Sequence, residues 1–273
     1  MQPAQQIQDE LYVSYSQLFT YSTCSLKYKY QYVEQRQPER ISANLPFGKA
    51  IHAALELYYR DMMQTGLPPQ VEHMLGVFCV SLLKQIDESE IPIIYKKELP
   101  DVESMLTMGE AMIMEFYKEV NLDGFEIVGV EVPLSAPLYN ADREQLDIKL
   151  FGVIDLLLKD NSGNFLCVDN KTSKQKKSQS AVDEDLQLTA YSYLLAANGY
   201  TFPRAQIQCR FDVLRKLKSP SFEHYKTTRS AEDRKRFAKL TASVLKGIEN
   251  RIFYPTSSWL CADCQFRDAC KDW

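Results

Sequence analysis

Phe151-Gly152-Val153-Ile154-Asp155-Leu156-Leu157-Leu158-Lys159-Asp160-Asn161-Ser162-Gly163-Asn164-Phe165-Leu166-Cys167-Val168-Asp169-Asn170-Lys171 is the stretch whose reading decides the fold. Two apolar runs flank Asp160 to Asn164, where Gly and Asn accept the dihedrals of a tight turn, so the segment is predicted to be a β-hairpin. Each predicted strand carries a carboxylate in apolar company: Asp155 between Ile154 and Leu156, and Asp169 after Val168. A lone ionised carboxylate there is costly unless a cation compensates it. Lys171 projects from the same face as Asp169 because strand side chains alternate. Two acids and a lysine at adjoining strand ends can hold a divalent metal and polarise a phosphate. Read alone, Asp-x-Lys also ends ordinary strands, so the rest of the chain has to decide.

The bulk properties narrow the class. With 273 residues, 45% hydrophobic and 25% charged, the chain has the composition of a soluble globular protein able to bury a sizeable core. Its net charge of −4 excludes a uniformly basic coat but allows a local basic groove beside an acidic metal site. No apolar run approaches the ~20 residues of a membrane span, and the N-terminal Met-Gln-Pro-Ala-Gln-Gln does not read as a signal peptide. The expectation is a cytoplasmic protein without a membrane partner. Seven cysteines in such a compartment are read for metal ligation before disulfides.

Upstream of the hairpin, residues 12–33 read as a short helix capped near Ser14 and a second, tyrosine-rich helix from Cys24, with Tyr28, Tyr30 and Tyr32 interleaved with Lys27 and Lys29. Pro46 to Tyr59 opens a helix whose apolar stripe lies beside His52, and residues 71–89 and 101–121 repeat the helical pattern. The stretch of about 66–122 is therefore predicted to be a helical insertion walling a cleft. Phe125 to Leu134 alternates as a strand, with Glu131 either near the metal or facing solvent. Downstream, Lys174, Lys176 and Lys177 form a basic loop at the strand end that carries the candidate site, where phosphate contacts are useful. A helix is expected from about Val182 to Asn198, with Gln187 and Tyr191 four apart on one face. Residues 205–214 are predicted as the final strand, followed by an amphipathic helix over 230–252.

In the polar tail, Cys261-x2-Cys264-x5-Cys270 gathers three thiols with no packing reason to cluster. Zinc and cubane iron-sulfur sites both favour four protein ligands. Cys24 is the best fourth, because Cys79, Cys167 and Cys209 lie in apolar patterns and read as core thiols. The spacing itself does not separate zinc from a [4Fe-4S] cluster.

The order His52, Gly152-x-x-Asp155, Asp169-x-Lys171, Gln187-x3-Tyr191, with one N-terminal cysteine and a C-terminal Cys-x2-Cys-x5-Cys, resembles the PD-(D/E)XK nuclease superfamily. Within it, the chain resembles the RecB-like branch with an iron-sulfur cluster, of the Cas4, AddB nuclease-domain and exonuclease V type. The resemblance extends over most of the chain but not over residues 66–122. It implies an α/β fold with a restriction-endonuclease-like central mixed sheet flanked by helices, the helical insertion and a C-terminal iron-sulfur staple. All of residues 1–273 would form one nuclease domain, with its core at about 123–215 and a C-terminal helix and cluster-binding tail at about 230–273 joined to Cys24.

The resemblance further implies that His52, Asp155, Asp169 and the carbonyl of Asn170 ligate Mg²⁺ or Mn²⁺, that Lys171 is the catalytic lysine, and that Gln187 and Tyr191 orient the DNA strand. Cys24, Cys261, Cys264 and Cys270 would hold a [4Fe-4S] cluster, with zinc the alternative. The implied function is metal-dependent cleavage of DNA, as an exonuclease on single strands or free ends, in repair, recombination or CRISPR adaptation alongside a protein partner from such a pathway. The alternative is a non-catalytic DNA-binding module with a vestigial metal site. Asn170 at the middle of the lysine motif and Ser25 after Cys24 depart from the commoner residues, Tyr and Pro, without removing a ligand.

Overall fold

The computed structural model describes residues 11–97, 99–140, 144–202 and 204–273. The reading of the first six residues as no signal peptide lies outside them. The predicted hairpin is present as β5 (Gln145–Asp160) and β6 (Phe165–Ser173). Asp160 closes the turn by accepting from the Ser162 and Asn164 amides at 2.9 and 2.8 Å, and Gly163 supplies the left-handed φ of 85° that the turn needs.

β4 (Phe125–Tyr139) runs antiparallel along β5, further than the expected Leu134. On its other edge β5 meets two strands in succession: β1 (Tyr12–Ser14), parallel to Lys149–Phe151, and β6, antiparallel at Leu156–Lys159. β6 continues alongside the parallel β7 (Ile207–Arg215), and β7 pairs with β8 (Ser221–Arg229). The sheet is mixed, with order β1-β5-β6-β7-β8 and β4 on β5, while β2 (Ile41–Ser42) and β3 (Ile93–Ile94) form a separate parallel pair. The expectation that residues 205–214 form the final strand is corrected by β8. Its sequence Ser-Phe-Glu-His-Tyr-Lys-Thr-Thr-Arg is mostly polar, as suits a strand at a sheet edge, and so carries little apolar signal.

Two cores lie on opposite faces of the sheet. On one face pack α3 (Asn44–Thr65), α4 (Val71–Asp87) and α5 (Val102–Glu119), burying Phe47, Ile51, Phe78 and Phe116 against Leu156, Leu158, Val168 and Leu214. On the other, α1 (Tyr15–Thr23), α7 (Leu186–Ala197) and α8 (Ala231–Glu249) bury Leu18, Leu188, Leu195 and Phe237 against Leu150, Ile154, Cys167, Cys209 and Phe211. The single helix expected over 182–198 is two: α6 (Gln179–Asp183) and α7. Asp185 breaks it, because its carboxylate prefers to cap α7, accepting from the amides of Gln187 and Leu188 at 2.8 and 3.3 Å.

The second N-terminal helix is short, α2 (Ser25–Tyr28), and passes into a π-turn at Lys29–Val33. Against it docks the tail, with a 3₁₀ turn (Trp259–Asp263) and α9 (Arg267–Lys271). The hydroxyl of Ser25 donates to the carbonyl of Tyr254 at 3.1 Å and accepts its amide at 2.9 Å, a reciprocal clamp that proline at this position has no means to make. The carboxylate of Glu39 accepts the amides of Asp268 and Ala269 at 3.0 and 2.9 Å. Among the described residues no helix is long and apolar enough to cross a membrane.

Candidate metal centre

The strands fork where the carboxylates stand. β5 and β6 pair as far as Leu156 and Val168 and then separate, while β6 keeps its ladder with β7 through Ser173. Asp155 and Asp169 are the next residues on the two arms. The Asn170 N–H, which a continued ladder would have used, is accepted by Asp155 Oδ2 at 2.7 Å. Burial, and after it the charge of Asp169, pushes the Asp155 carboxyl up to about 8. Burial and the neighbouring carboxylate therefore favour the protonated form of Asp155.

On the α3 face, His52 Nδ1 lies 3.6 Å from Asp155 Oδ2, and burial lowers its pKa. Glu131 completes the group: ligand atoms of His52, Glu131 and Asp155 all lie within 4.8 Å of one another. Its position has a structural cause. β4 carries Val130 into the α3–α5 core and Val132 against the α7–α8 core, and Glu131 between them takes φ 51°, the left-handed region. That irregular residue sits between the pairs Val130↔Leu156 and Val132↔Ile154, opposite Asp155. Burial and then Glu56 raise its carboxyl. Strand alternation leaves Glu131 open between solvent and metal, and the structure brings its carboxylate beside Asp155 and His52.

On the α7 face, Asp169 is 1% exposed and sits in a net of donors. Lys171 Nζ is 2.6 Å from its Oδ2, and Oδ1 accepts from Gln187 Nε2 at 2.8 Å and Tyr191 Oη at 3.2 Å. Gln187 also accepts from Lys171 Nζ at 2.9 Å and donates to Tyr191 Oη at 3.0 Å. Burial works against the charge on Lys171, but Asp169 outweighs it and the ammonium is held above its ordinary value. Burial, then Asp169, raises the Tyr191 phenol well above its usual range, so it stays a hydrogen-bond donor. Gln187 and Tyr191 thus both turn towards Asp169.

The buried Asn170 Oδ1 makes no hydrogen bond, an orphaned acceptor on the residue next to Asp169. With a histidine nitrogen and carboxylates close by, the donor set fits a hard divalent cation. Lys174, Lys176 and Lys177 follow β6 directly, with Lys177 Nζ over the Phe211 ring at 4.4 Å from its centroid.

Arg229, which no motif pointed to, is 1% exposed and holds this arrangement from behind. Its Nε donates to Thr189 at 2.8 Å, Nη1 to Thr227 and Thr228 at 2.7 and 3.0 Å, and Nη2 to the carbonyls of Val182 and Asp185 at 2.8 and 3.0 Å. All five donors are used, and the α6–α7 corner that carries Gln187 is fixed by them.

The cysteines of the tail meet Cys24. Leu26, Tyr30 and Phe266 form a small core with Cys24, Cys264 and Cys270 against it. Burial and then the neighbouring Cys24, Cys264 and Cys261 thiols raise the Cys270 pKa. The trio at the fork is the one group of three His, Cys, Asp or Glu ligand atoms within 4.8 Å among the described residues, so no three tail sulfurs stand that close together. Cys167 and Cys209 are core thiols, 3.2 Å apart between β6 and β7.

No curated protein matches the chain in sequence. Among solved structures, that of a candidate exonuclease from Eubacterium rectale is similar over 100% of this chain and 93% of that one, with 10% identity and a TM-score of 0.58, a likeness of fold. The structure of SSO0001 covers 90% of this chain and 94% of its own at 13% identity, and its TM-score of 0.37 carries no argument. The family model of the PD-(D/E)XK nuclease superfamily matches residues 12–271.

Proposed function

The chain belongs to the PD-(D/E)XK nuclease superfamily, and from that premise we propose that it is a metal-dependent DNA exonuclease of the RecB-like, iron-sulfur branch, acting on single strands or free ends in repair, recombination or CRISPR adaptation. The observation that carries the reading is the fork. Its two arms present a carboxylate each, Asp155 half-buried and Asp169 buried, with His52 and Glu131 on one side and Lys171, Gln187 and Tyr191 on the other.

His52, Glu131, Asp155, Asp169 and the Asn170 carbonyl are the groups that would hold Mg²⁺ or Mn²⁺. When bound, the cation supplies an activated water and neutralises charge on the phosphate. The protein's own part is positional and electrostatic. Gln187 holds Lys171 beside Asp169, so the ammonium stands at the strand end with its charge secured. Lys171 stabilises the extra negative charge of the attacked phosphate and orients the water. Tyr191 donates to Asp169 and keeps that carboxylate aimed into the fork. The Lys174, Lys176 and Lys177 loop takes the phosphates beyond the scissile bond.

Cys24, Cys261, Cys264 and Cys270 would hold the [4Fe-4S] cluster. The family resemblance favours the cluster over zinc, and Cys24, Cys264 and Cys270 pack on one small core. Its role would be to tie the tail to α2.

The test is digestion of end-labelled single- and double-stranded DNA by the full chain with Mn²⁺, with and without chelator. Metal-dependent release of short products is expected. Metal-independent binding without cleavage would turn the assignment into a DNA-binding module.

A further inference from the structure

The α3–α5 core takes in Leu156 and Leu158 of β5 but not the upstream Phe151 and Val153, which are half-buried. Leu150 and Ile154 point into the α7–α8 core, so Phe151 and Val153 alternate onto the other face, which Asp155 continues beside His52. Neither Phe151 nor Val153 belongs to either core. Beside them in the sheet is β1, whose Val13 is buried at 1% while Tyr12 is 46% exposed. The rings of Tyr12 and Phe151 meet edge to face, 5.5 Å apart at 62°. Phe151 lies four residues from Asp155, about 13 Å along the strand.

Exposed apolar side chains scattered singly mean little. Tyr12 and Phe151 are not single: they form a pair on the sheet face that carries Asp155.

We infer that Tyr12 with Phe151 forms a base-stacking shelf for single-stranded DNA leading to the metal centre. The inference rests on the nuclease reading and gives it a strand preference. A base in a single strand offers both π-faces to an aromatic ring, whatever its identity. In a duplex those faces are already stacked and the shelf has nothing to grip. The basic loop on β6 supplies the complementary half, holding phosphates on the far side of the fork.

The experiment uses the full chain carrying Lys171→Ala, so that no strand is cut, and measures binding of fluorescein-labelled oligo-dT and of an abasic oligonucleotide of equal length. With Tyr12 intact, oligo-dT is expected to bind about tenfold tighter than the abasic strand, in line with stacking measured by alanine substitution. Tyr12→Ala should weaken oligo-dT about tenfold and leave the abasic strand unchanged, and Tyr12→Trp should restore the preference. An unchanged ratio in Tyr12→Ala, or an equal loss on both strands, overturns the shelf. The nuclease reading fails separately, if the unmodified chain with Mn²⁺ cleaves no DNA.

Discussion

The fork and the tail both gather reactive side chains from distant parts of the sequence, but they are held in opposite ways. At the fork, Asp155 and Asp169 sit on neighbouring strands of a sheet packed on both faces, and each finds its partners among groups the fold already fixes. In the tail, Cys261 is exposed, and the described core beneath the cysteines is three side chains, Leu26, Tyr30 and Phe266. The sheet pre-organises the first constellation. The second depends on hydrogen bonds such as the Ser25–Tyr254 clamp and on whatever its thiolates bind. Disturbing the fork should therefore cost rate, and disturbing the tail should cost stability.

The largest effect is expected at Lys171. Lys171→Ala should lower DNA cleavage by about 10³-fold, the scale of losing one well-placed stabiliser of transition-state charge. The far-UV circular dichroism should stay that of the folded protein. Cleavage within a few-fold of the unmodified chain would remove Lys171 from the chemistry and break the contrast. Cys24→Ser should act in the other direction. Binding at these cysteines closes a loop of nearly the whole chain, so its free energy belongs to folding. Iron content should fall, the melting temperature should drop by at least about 5 °C, on the scale set by the unfolding entropy of a domain this size, and the tail should become protease-sensitive. Brown, iron-loaded protein with an unshifted melting curve would show the tail to be as self-sufficient as the fork. A colourless, active preparation holding stoichiometric zinc would keep the staple and replace its metal.

A subtler effect concerns protons. The folded, metal-free protein keeps Asp155 protonated up to about 8, whereas the unfolded chain releases that proton near the ordinary carboxyl value. The folded state binds more protons in between, so this group makes metal-free stability fall as pH rises towards 8. A cation must displace the proton, so its affinity should rise across the same window. Melting curves with and without Mg²⁺ at pH 6 and pH 8 should show the larger metal-induced increase at pH 8. An equal increase at both would mean that Asp155 does not ligate the ion. The smallest effect should come from Lys174, Lys176 and Lys177: their triple alanine variant should bind DNA more weakly and with a shallower dependence on salt, by up to about one unit of slope per lysine. An unchanged slope would leave the loop as solvated surface.

The hairpin was legible in the sequence from its local pattern, whereas His52, Lys171, Gln187 and Tyr191 stood out through the family resemblance. Asp155 and Asp169 interrupt apolar strands, and three cysteines crowd a tail with nothing to pack against. β8 was not legible, since an edge strand of alternating polar residues looks like a loop until β7 defines its register. Arg229 escaped for a related reason. One arginine at a strand end carries no local signal, and only the fold reveals five bonds to neutral acceptors. The break at Asp185 had a signal, an aspartate ahead of an apolar helical run, outweighed by the apolar periodicity around it. Glu131 was visible as a candidate, and its backbone conformation was not.

That conformation sets stability and activity against each other. A left-handed φ costs a non-glycine residue about 1 kcal/mol, and Glu131 bears it in the middle of a long strand. Glu131→Gly should accordingly melt higher than the natural protein when metal is absent, while binding Mg²⁺ more weakly. Selection for heat resistance alone would tend to erase this glutamate, so a library screened without substrate would drift towards hardier and less active proteins at this one position.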